Sequence, residues 1–473
     1  MNYKRCVILL FDGARYDVFK DLLHSDRLPN IQRYLVNNGS FLKGYSSLCT
    51  TTGPAHIPFI YGIYPGTANV PGIRWFDKAN IKTRFFMKTG LRSYVGPGSY
   101  YMGHDVSNEY KPLYEYFTKP VGIFSSLDKN HNIKIIGHKR HRIQKALYYI
   151  YAHYTHRWGS VDKAACRSVR KYLNRGVDFV FSVFPGIDEI THLNHPLHQK
   201  TLEQYQVLDK FVGNMFNDLK NEGEEDTLIF MVSDHGLSQT HKHISVVELS
   251  KKEGYSPVYY PRIFNNKYDI AIMESGNAMA FIYFMKPVRD KPAFYDEIIS
   301  IDKNKIFIEK ILDQDGIDII AYRLEKSKIC VRNKHGQLEI TYKDDGNLSL
   351  NPKGFNPLGF NVNKENLSLK DSLSITRKTL YPDSIIQLKQ LFNSERTGDV
   401  VVFAKLGYDL RDKHEWPEHK SSHGSPLKAH MEVPICTNLN LKSGSCRIVD
   451  IFPTVLQQFN RKIPENIDGN AIE

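Results

Sequence analysis

Cys6-Val-Ile-Leu-Leu-Phe11 runs directly into Asp12, and the reading of this stretch decides the fold. An unbroken apolar run of this length suits a strand buried on both faces of a parallel sheet, not the alternation of a half-exposed strand. Asp178-Phe-Val-Phe-Ser-Val-Phe184 precedes Asp188 in the same way, and Thr227-Leu-Ile-Phe-Met-Val232 precedes Asp234. Open α/β sheets bind ligands beyond the carboxyl ends of their strands, which is where all three acids fall. The expected fold is therefore α/β: a doubly wound, mostly parallel central sheet with helices on both faces, plus a cap and an inserted α+β subdomain. The core is expected at 1–250 and 395–473, with a Gly/Pro/Tyr-rich and basic helical cap at about 67–175 and the insert at 251–394. A chain of 473 residues is long enough for both units.

The rest of the chain fits around these strands. Ile57 to Ile63 is apolar enough for a buried helix, and Gln204 to Glu222 has apolar residues at helical spacing. The irregular stretch from 67 to 125 is longer than ordinary loops, which suggests that it lines a site and makes Arg74 and Trp75 candidate substrate contacts. Ile272 to Phe284 reads as a core strand interrupted at Ser275-Gly-Asn277, a place where backbone can approach a ligand, so Asn277 joins the candidates. Lys328 to Tyr342 alternates about Lys334-His-Gly336, the pattern of a hairpin. Strand character returns at Asp399 to Phe403, and there are no internal repeats.

The acids acquire a chemical meaning with their neighbours. Asp188 and His192 are four apart and share a face if a helical turn begins there. His235 follows Asp234, His423 lies in Ser-Ser-His-Gly-Ser, and Thr52 in Thr-Thr-Thr-Gly-Pro-Ala-His. An acid at a strand end is commonly a turn or helix cap. Several such segments, three of them at strand ends, are better explained by one site that holds two divalent cations, zinc by ligand type, with manganese or iron as alternatives. Two cations a few Å apart neutralise a phosphate ester and align the attacking and leaving oxygens. A Thr hydroxyl becomes a competent nucleophile when a cation lowers its pKa, the role expected of Thr52. His241 and His243 are read as loop residues, not as a third metal site.

These segments resemble the alkaline phosphatase superfamily, and within it the type I phosphodiesterase/nucleotide pyrophosphatase branch. The resemblance rests on Thr52-Gly-Pro-Ala-His56 with Tyr61-Gly-Ile-Tyr-Pro-Gly66, Asp188-x-x-x-His192, Ser233-Asp-His-Gly236 and Ser422-His-Gly424 with Met431-Glu-Val-Pro434. Arg447-Ile-Val-Asp-Ile-Phe-Pro-Thr454 and Ile467-Asp-Gly469 complete it. It implies one metal on Asp188, His192 and His423, a second on Asp12, Asp234, His235 and Thr52, and a covalent intermediate on Thr52. Thr52 is chosen over Thr50 and Thr51 by counting back from Pro54 and His56. Pyrophosphatases of the branch have Asn where this chain has Ala55, which bears on the substrate and not on the chemistry.

A phosphodiesterase acting on a nucleotide-like or phospholipid head-group ester is the leading expectation. A phosphomonoesterase or phosphotransferase would need a cation on the extra phosphate oxygens, for which Arg74 and Lys420 are available. The net charge is +12, and twelve Lys or Arg fall between Lys129 and Arg175. They lead into Ala146-Leu-Tyr-Tyr-Ile-Tyr-Ala-His-Tyr154, so residues 139–154 form either an interfacial contact with anionic membrane or a cap helix that packs its aromatics inward. An inactive membrane-binding protein is the competing class, and the full set of site residues argues against it. The basic stretch lacks the strand context or heptads of a nucleic-acid reader, and no nucleic-acid partner is expected. Six dispersed cysteines without C-x-x-C spacing, and an N-terminal apolar run too short for a signal-peptide core, suggest a cytoplasmic protein with reduced thiols.

Overall fold

The computed structural model describes residues 3–473 apart from 82, 85, 86, 89, 128–134, 222, 224, 225, 362–366, 370 and 412–416. Lys129 and Lys134 of the basic stretch, and Glu222, lie outside the described residues.

The three apolar runs are strands, Arg5–Phe11, Phe179–Phe184 and Thr227–Val232, each buried along its whole length. They are neighbours in a seven-stranded sheet whose order is Ser445–Arg447, Ser40–Tyr45, Glu432–Thr437, Thr227–Val232, Arg5–Phe11, Phe179–Phe184 and Pro120–Ile123. Every strand runs the same way except Glu432–Thr437, which is antiparallel to both neighbours. Alternate residues of a strand face opposite sides, and both sides are covered. Phe179 stacks on Phe117 and Phe181 meets His56 on one face, while Phe184 packs against Phe211 of the helix Gln199–Asn221 on the other.

A second, nine-stranded sheet is antiparallel in all but one of its pairings and includes Ile270–Ser275, Met279–Phe284, Val400–Ala404, Ile317–Glu325, Lys328–Asn333 and Gly336–Tyr342. Val400–Ala404 lies inside it, between Met279–Phe284 and Ile317–Glu325, beyond the 394 limit expected for the insert. The hairpin forms as expected, with the Asn333 side-chain oxygen accepting from the His335 and Gly336 N–H groups across the turn. Ile272 to Phe284 is not one interrupted strand. It is two strands joined by a tight turn in which Gly276 and Asn277 both have positive φ. Both faces of this pair are buried, so each strand is as continuously apolar as a parallel one, and that erased the alternation that would have marked a hairpin.

The long stretch after residue 67 braces the two sheets. Its strand Arg74–Phe76 pairs with Leu91–Ser93, and buried Lys78 makes an ion pair with Asp399 at 3.0 Å while donating to the Phe284 carbonyl. No helix of the described residues is long and apolar enough to cross a membrane. All six cysteines are free.

Candidate active site

The three central strands end almost level, since Leu10 pairs with both Val183 and Val232. The chain leaves each strand at the same edge of the sheet, and the acids converge there. The Asp12 N–H donates to the Phe184 carbonyl, and the Asp188 N–H donates to the Asp12 carbonyl, each at 3.1 Å. Gly13 makes the approach possible: its φ is +74°, its N–H donates to Asp234 Oδ1 at 3.2 Å, and a Cβ there would lie 2.7 Å from the Asp188 Cβ. Asp188 and His192 share one face of the helix Gly186–Leu193, with His192 Nε2 3.5 Å from Asp188 Oδ1. The start of that helix is fixed by buried Asp162, whose carboxylate accepts from the Gly186 N–H at 3.0 Å and from the Gln204 amide.

The structure separates the three threonines. Thr50 Oγ1 donates to the Ser425 carbonyl and accepts from the Gly424 N–H, and Thr51 Oγ1 lies 2.8 Å from Cys49 Sγ. Thr52 Oγ1 instead lies 3.2 Å from Asp12 Oδ1 and 3.1 Å from His235 Nε2. Asp12, Asp188, His192, Asp234, His235 and His423 are all buried, whereas Thr52 is half-buried and so reachable from solvent.

The three imidazoles share one arrangement. His192 Nδ1 contacts the Ser421 carbonyl at 2.8 Å, His423 Nδ1 the Thr50 carbonyl at 2.8 Å, and His235 Nδ1 the Gly236 carbonyl at 3.2 Å. A carbonyl only accepts, so each Nδ1 carries the proton and each Nε2 presents a lone pair. The Nε2 atoms all turn inward: His235 Nε2 is 3.5 Å from Asp12 Oδ1 and 3.4 Å from Asp234 Oδ2, and His423 Nε2 is 3.2 Å from His192 Nε2. Fixing the tautomer through the outer nitrogen is how proteins prepare histidine as a metal ligand.

The electrostatics ask for cations at the same point. Burial, followed by repulsion from Asp234, pushes the Asp12 and Asp188 carboxyls well above the usual carboxylate range. Burial would do the same to Asp234, but His235 and His56 hold it down to about 2. Burial, with His235 and His192 beside it, drives His423 well below the ordinary imidazole value. Neutral imidazoles and carboxylates that cannot all ionise together form a donor set suited to divalent cations. Ligand atoms of Asp12, Asp234 and His235 lie within 4.8 Å of one another, as do those of Asp188, His235 and His423. His235 therefore belongs to both groups; it contacts Thr52 and Asp234, while His192 lies beside both Asp188 and His423.

The remaining candidates are placed differently. Asn277, at φ +63°, forms a backbone bridge to His423. Lys420 is exposed, and its N–H donates to the His192 carbonyl. The Arg74 guanidinium lies over the Tyr260 ring. Trp75 is buried in the core with its indole N–H donated to the Tyr94 hydroxyl at 3.1 Å. Two histidines go beyond the expected set. His56 Nε2 lies 3.0 Å from Asp234 Oδ2, and the His419 ring packs 4.2 Å from that of His192. The signal for His56 was its place one turn after Thr52, and that for His419 its spacing of four from His423. His243, paired with Asp409 at 2.8 Å, is held apart from the cluster.

The sheet and the acids at its strand ends define a phosphoester hydrolase of the alkaline phosphatase superfamily. The chain belongs to the type I phosphodiesterase / nucleotide pyrophosphatase family, whose sequence model matches residues 6–426. The fold recurs in murine ectonucleotide pyrophosphatase / phosphodiesterase 5, at 12% identity and a TM-score of 0.57 over 98% of this chain and 97% of that one. An inactive threonine-to-alanine form of the murine protein in complex with AMP gives 11% identity and a TM-score of 0.56, with 98% and 97% covered. Phosphonoacetate hydrolase from Sinorhizobium meliloti 1021, in complex with phosphonoacetate, gives 12% and 0.56, with 95% of each chain covered. At such identities the likeness establishes the fold. No curated protein sequence matches the chain.

Proposed function

We propose that the chain hydrolyses a phosphodiester, nucleotide-like or a phospholipid head-group ester, with Thr52 as nucleophile on a centre of two divalent cations. The observation that carries this reading is the set of three imidazoles with Nδ1 tied to carbonyls and Nε2 turned toward three buried carboxylates, beside a reachable threonine hydroxyl. Asp12, Asp234, His235 and Thr52 would hold one cation, and Asp188, His192 and His423 the other; zinc suits the ligands, and manganese or iron could replace it. When bound, the cations supply charge neutralisation of the phosphate and a lowered pKa for the threonine hydroxyl.

Thr52 Oγ1 passes its proton to Asp12 Oδ1, 3.2 Å away, and attacks phosphorus in line with one ester oxygen, whose bond to phosphorus breaks and which leaves as an alcohol after taking a proton from water. Water then attacks the threonyl phosphodiester from the opposite side and breaks the Oγ1–P bond, which yields a phosphomonoester and restores the threonine hydroxyl. His56 keeps Asp234 ionised and oriented through this sequence, while the Asp162 carboxylate holds the helix that carries Asp188 and His192. Ala55 offers no amide to the substrate, and this favours an ester other than the usual nucleotide pyrophosphate. The division into a 1–250 plus 395–473 catalytic unit and a 251–394 insert belongs to the same proposal, with Val400–Ala404 shared between them.

A substrate panel tests the reading. Bis-aryl phosphodiester, aryl phosphomonoester, dinucleotide and phospholipid are offered with added zinc or manganese. Faster turnover of diesters than of monoester is expected. Exclusive turnover of the monoester would contradict the diester assignment and support a phosphomonoesterase or phosphotransferase.

A further inference from the structure

The helix His138–Thr155 stands beside the edge strand Pro120–Ile123, at the end of the sheet where the acids gather. Its inner side is anchored: His141, Lys145 and Ala152 are buried, Tyr148 and Tyr149 pack on Phe124, and Tyr149 also meets Trp158 edge-on. The sequence left open whether this segment is a cap or a surface contact, and it has the features of both.

Its outer side is apolar. Ile143, Leu147, Ile150, Tyr151 and Tyr154 are between 43% and 72% exposed. At 3.6 residues per turn they fall within an arc of about 100°, a continuous stripe along the helix. Single exposed apolar side chains are ordinary, but a stripe of five on one helix marks a surface built to be covered.

Cations surround the stripe. Lys139 and Arg140 are exposed at the start of the helix, and Arg157 just past its end. The adjoining helix Gly159–Leu173 adds exposed Lys163 and Arg167. The charges crowd one another: repulsion from Arg140 and then Arg175 lowers the Lys171 ammonium from its ordinary value. The patch also lies close to the metal-ligand cluster. The helix His138–Thr155 packs on Gly159–Leu173, which in turn packs on Gly186–Leu193, the helix that carries Asp188 and His192.

We propose that this stripe and its cationic rim dock the protein on an anionic lipid bilayer, with the helix lying in the interface plane and the active-site end of the sheet turned toward the lipid surface. An apolar face flanked by Lys and Arg matches the acyl boundary and the negative head groups at once. A second copy of the chain fits less well, because two-fold pairing would face this cationic patch with an identical cationic patch. Nucleic acid would satisfy the cations and leave the stripe bare. The inference does not depend on the proposed reaction, because binding is measured without turnover.

The test is co-sedimentation of the whole protein with vesicles of phosphatidylcholine alone or of equimolar phosphatidylcholine and phosphatidylglycerol. Binding only to the anionic vesicles, weakening with salt, is expected. Charge reversal of the rim by Lys139→Glu with Arg140→Glu should weaken it by at least about thirtyfold, and Leu147→Glu with Ile150→Glu by at least about a hundredfold. Both variants should keep the parent thermal melt and its turnover of a soluble aryl phosphodiester, since neither touches the site. Absence of binding by the parent, or equal binding by the Leu147/Ile150 variant, would overturn the proposal. So would a parent dimer that the Leu147/Ile150 variant splits without any vesicle binding, since the occupant would then be a second copy.

Discussion

In the seven-stranded sheet three neighbouring strands run the same way and release their last residues at one edge, whereas in the nine-stranded sheet neighbours mostly run in opposite directions and only turns return to that edge. Both sheets are equally apolar and equally buried along their central strands. Strand direction, not composition, decides which one can gather three carboxylates within a few Å. The parallel sheet supplies Asp12, Asp188 and Asp234. The antiparallel sheet sends the turn Ser275-Gly-Asn277, whose backbone braces His423: the His423 N–H donates to the Gly276 carbonyl at 3.1 Å, and the Ala278 N–H donates to the His423 carbonyl at 2.9 Å. The parallel sheet is thus assigned the chemistry and the antiparallel sheet its support.

The largest expected effect falls on the parallel side. Thr52→Ala should lower turnover of a bis-aryl phosphodiester by at least about a thousandfold while bound metal, measured by elemental analysis, is retained. Parent-like turnover would place the nucleophile elsewhere and leave the threonine a structural neighbour of Asp12.

Next is Asp162, which holds the helix of Asp188 and His192. Burial raises its carboxyl from 3.8 to about 7, with the Gly186 N–H and the Gln204 amide only partly offsetting it. Ionising it is therefore harder in the folded protein than in the unfolded chain. The resulting destabilisation is absent below pH 3.8, grows as pH rises, and is complete above about 7. Asp162→Asn removes that ionisation, so calorimetry should find the variant more stable than the parent at pH 8, by as much as about 3 kcal/mol, and no more stable at pH 4. A constant difference across that range would mean that the carboxyl is not the group responsible.

The smallest effect tests the bracing turn. Gly276 has φ +71°, and a Cβ there would lie 2.5 Å from Thr51 Cγ2 and 2.9 Å from His423 Nδ1. Gly276→Ala should cost about 1–3 kcal/mol in denaturant unfolding and lower turnover roughly tenfold by displacing His423. Unchanged stability and turnover would detach the antiparallel sheet from the site.

The strand-end acids were legible in the sequence because strands buried on both faces of a parallel sheet are written as unbroken apolar runs, and each run pointed at its acid. The turn at Ser275-Gly-Asn277 was legible only as an interruption. Its two strands are also buried on both faces, so period-two alternation, the usual sign of a hairpin, was absent. In the 67–125 stretch, expected to line a site, Trp75 is a core residue, Lys78 ties the stretch to the nine-stranded sheet through Asp399, and the Ile73 N–H donates to Ser275 beside the bracing turn. The stripe on His138–Thr155 was hidden because its aromatics divide between two faces: Tyr148 and Tyr149 pack inward, while Tyr151 and Tyr154 face out. His56 follows Thr52 by one turn and His419 precedes His423 by four, but only folding brings them beside Asp234 and His192.

The central claim is that the parallel strand ends hold two cations beside Thr52. Anomalous diffraction from crystals grown with zinc tests it most directly. The account predicts two peaks about 3.5–4 Å apart, one contacted by Asp12, Asp234, His235 and Thr52 and the other by Asp188, His192 and His423. A single peak away from these residues, or none in a protein that turns over phosphodiester after chelation, would contradict it.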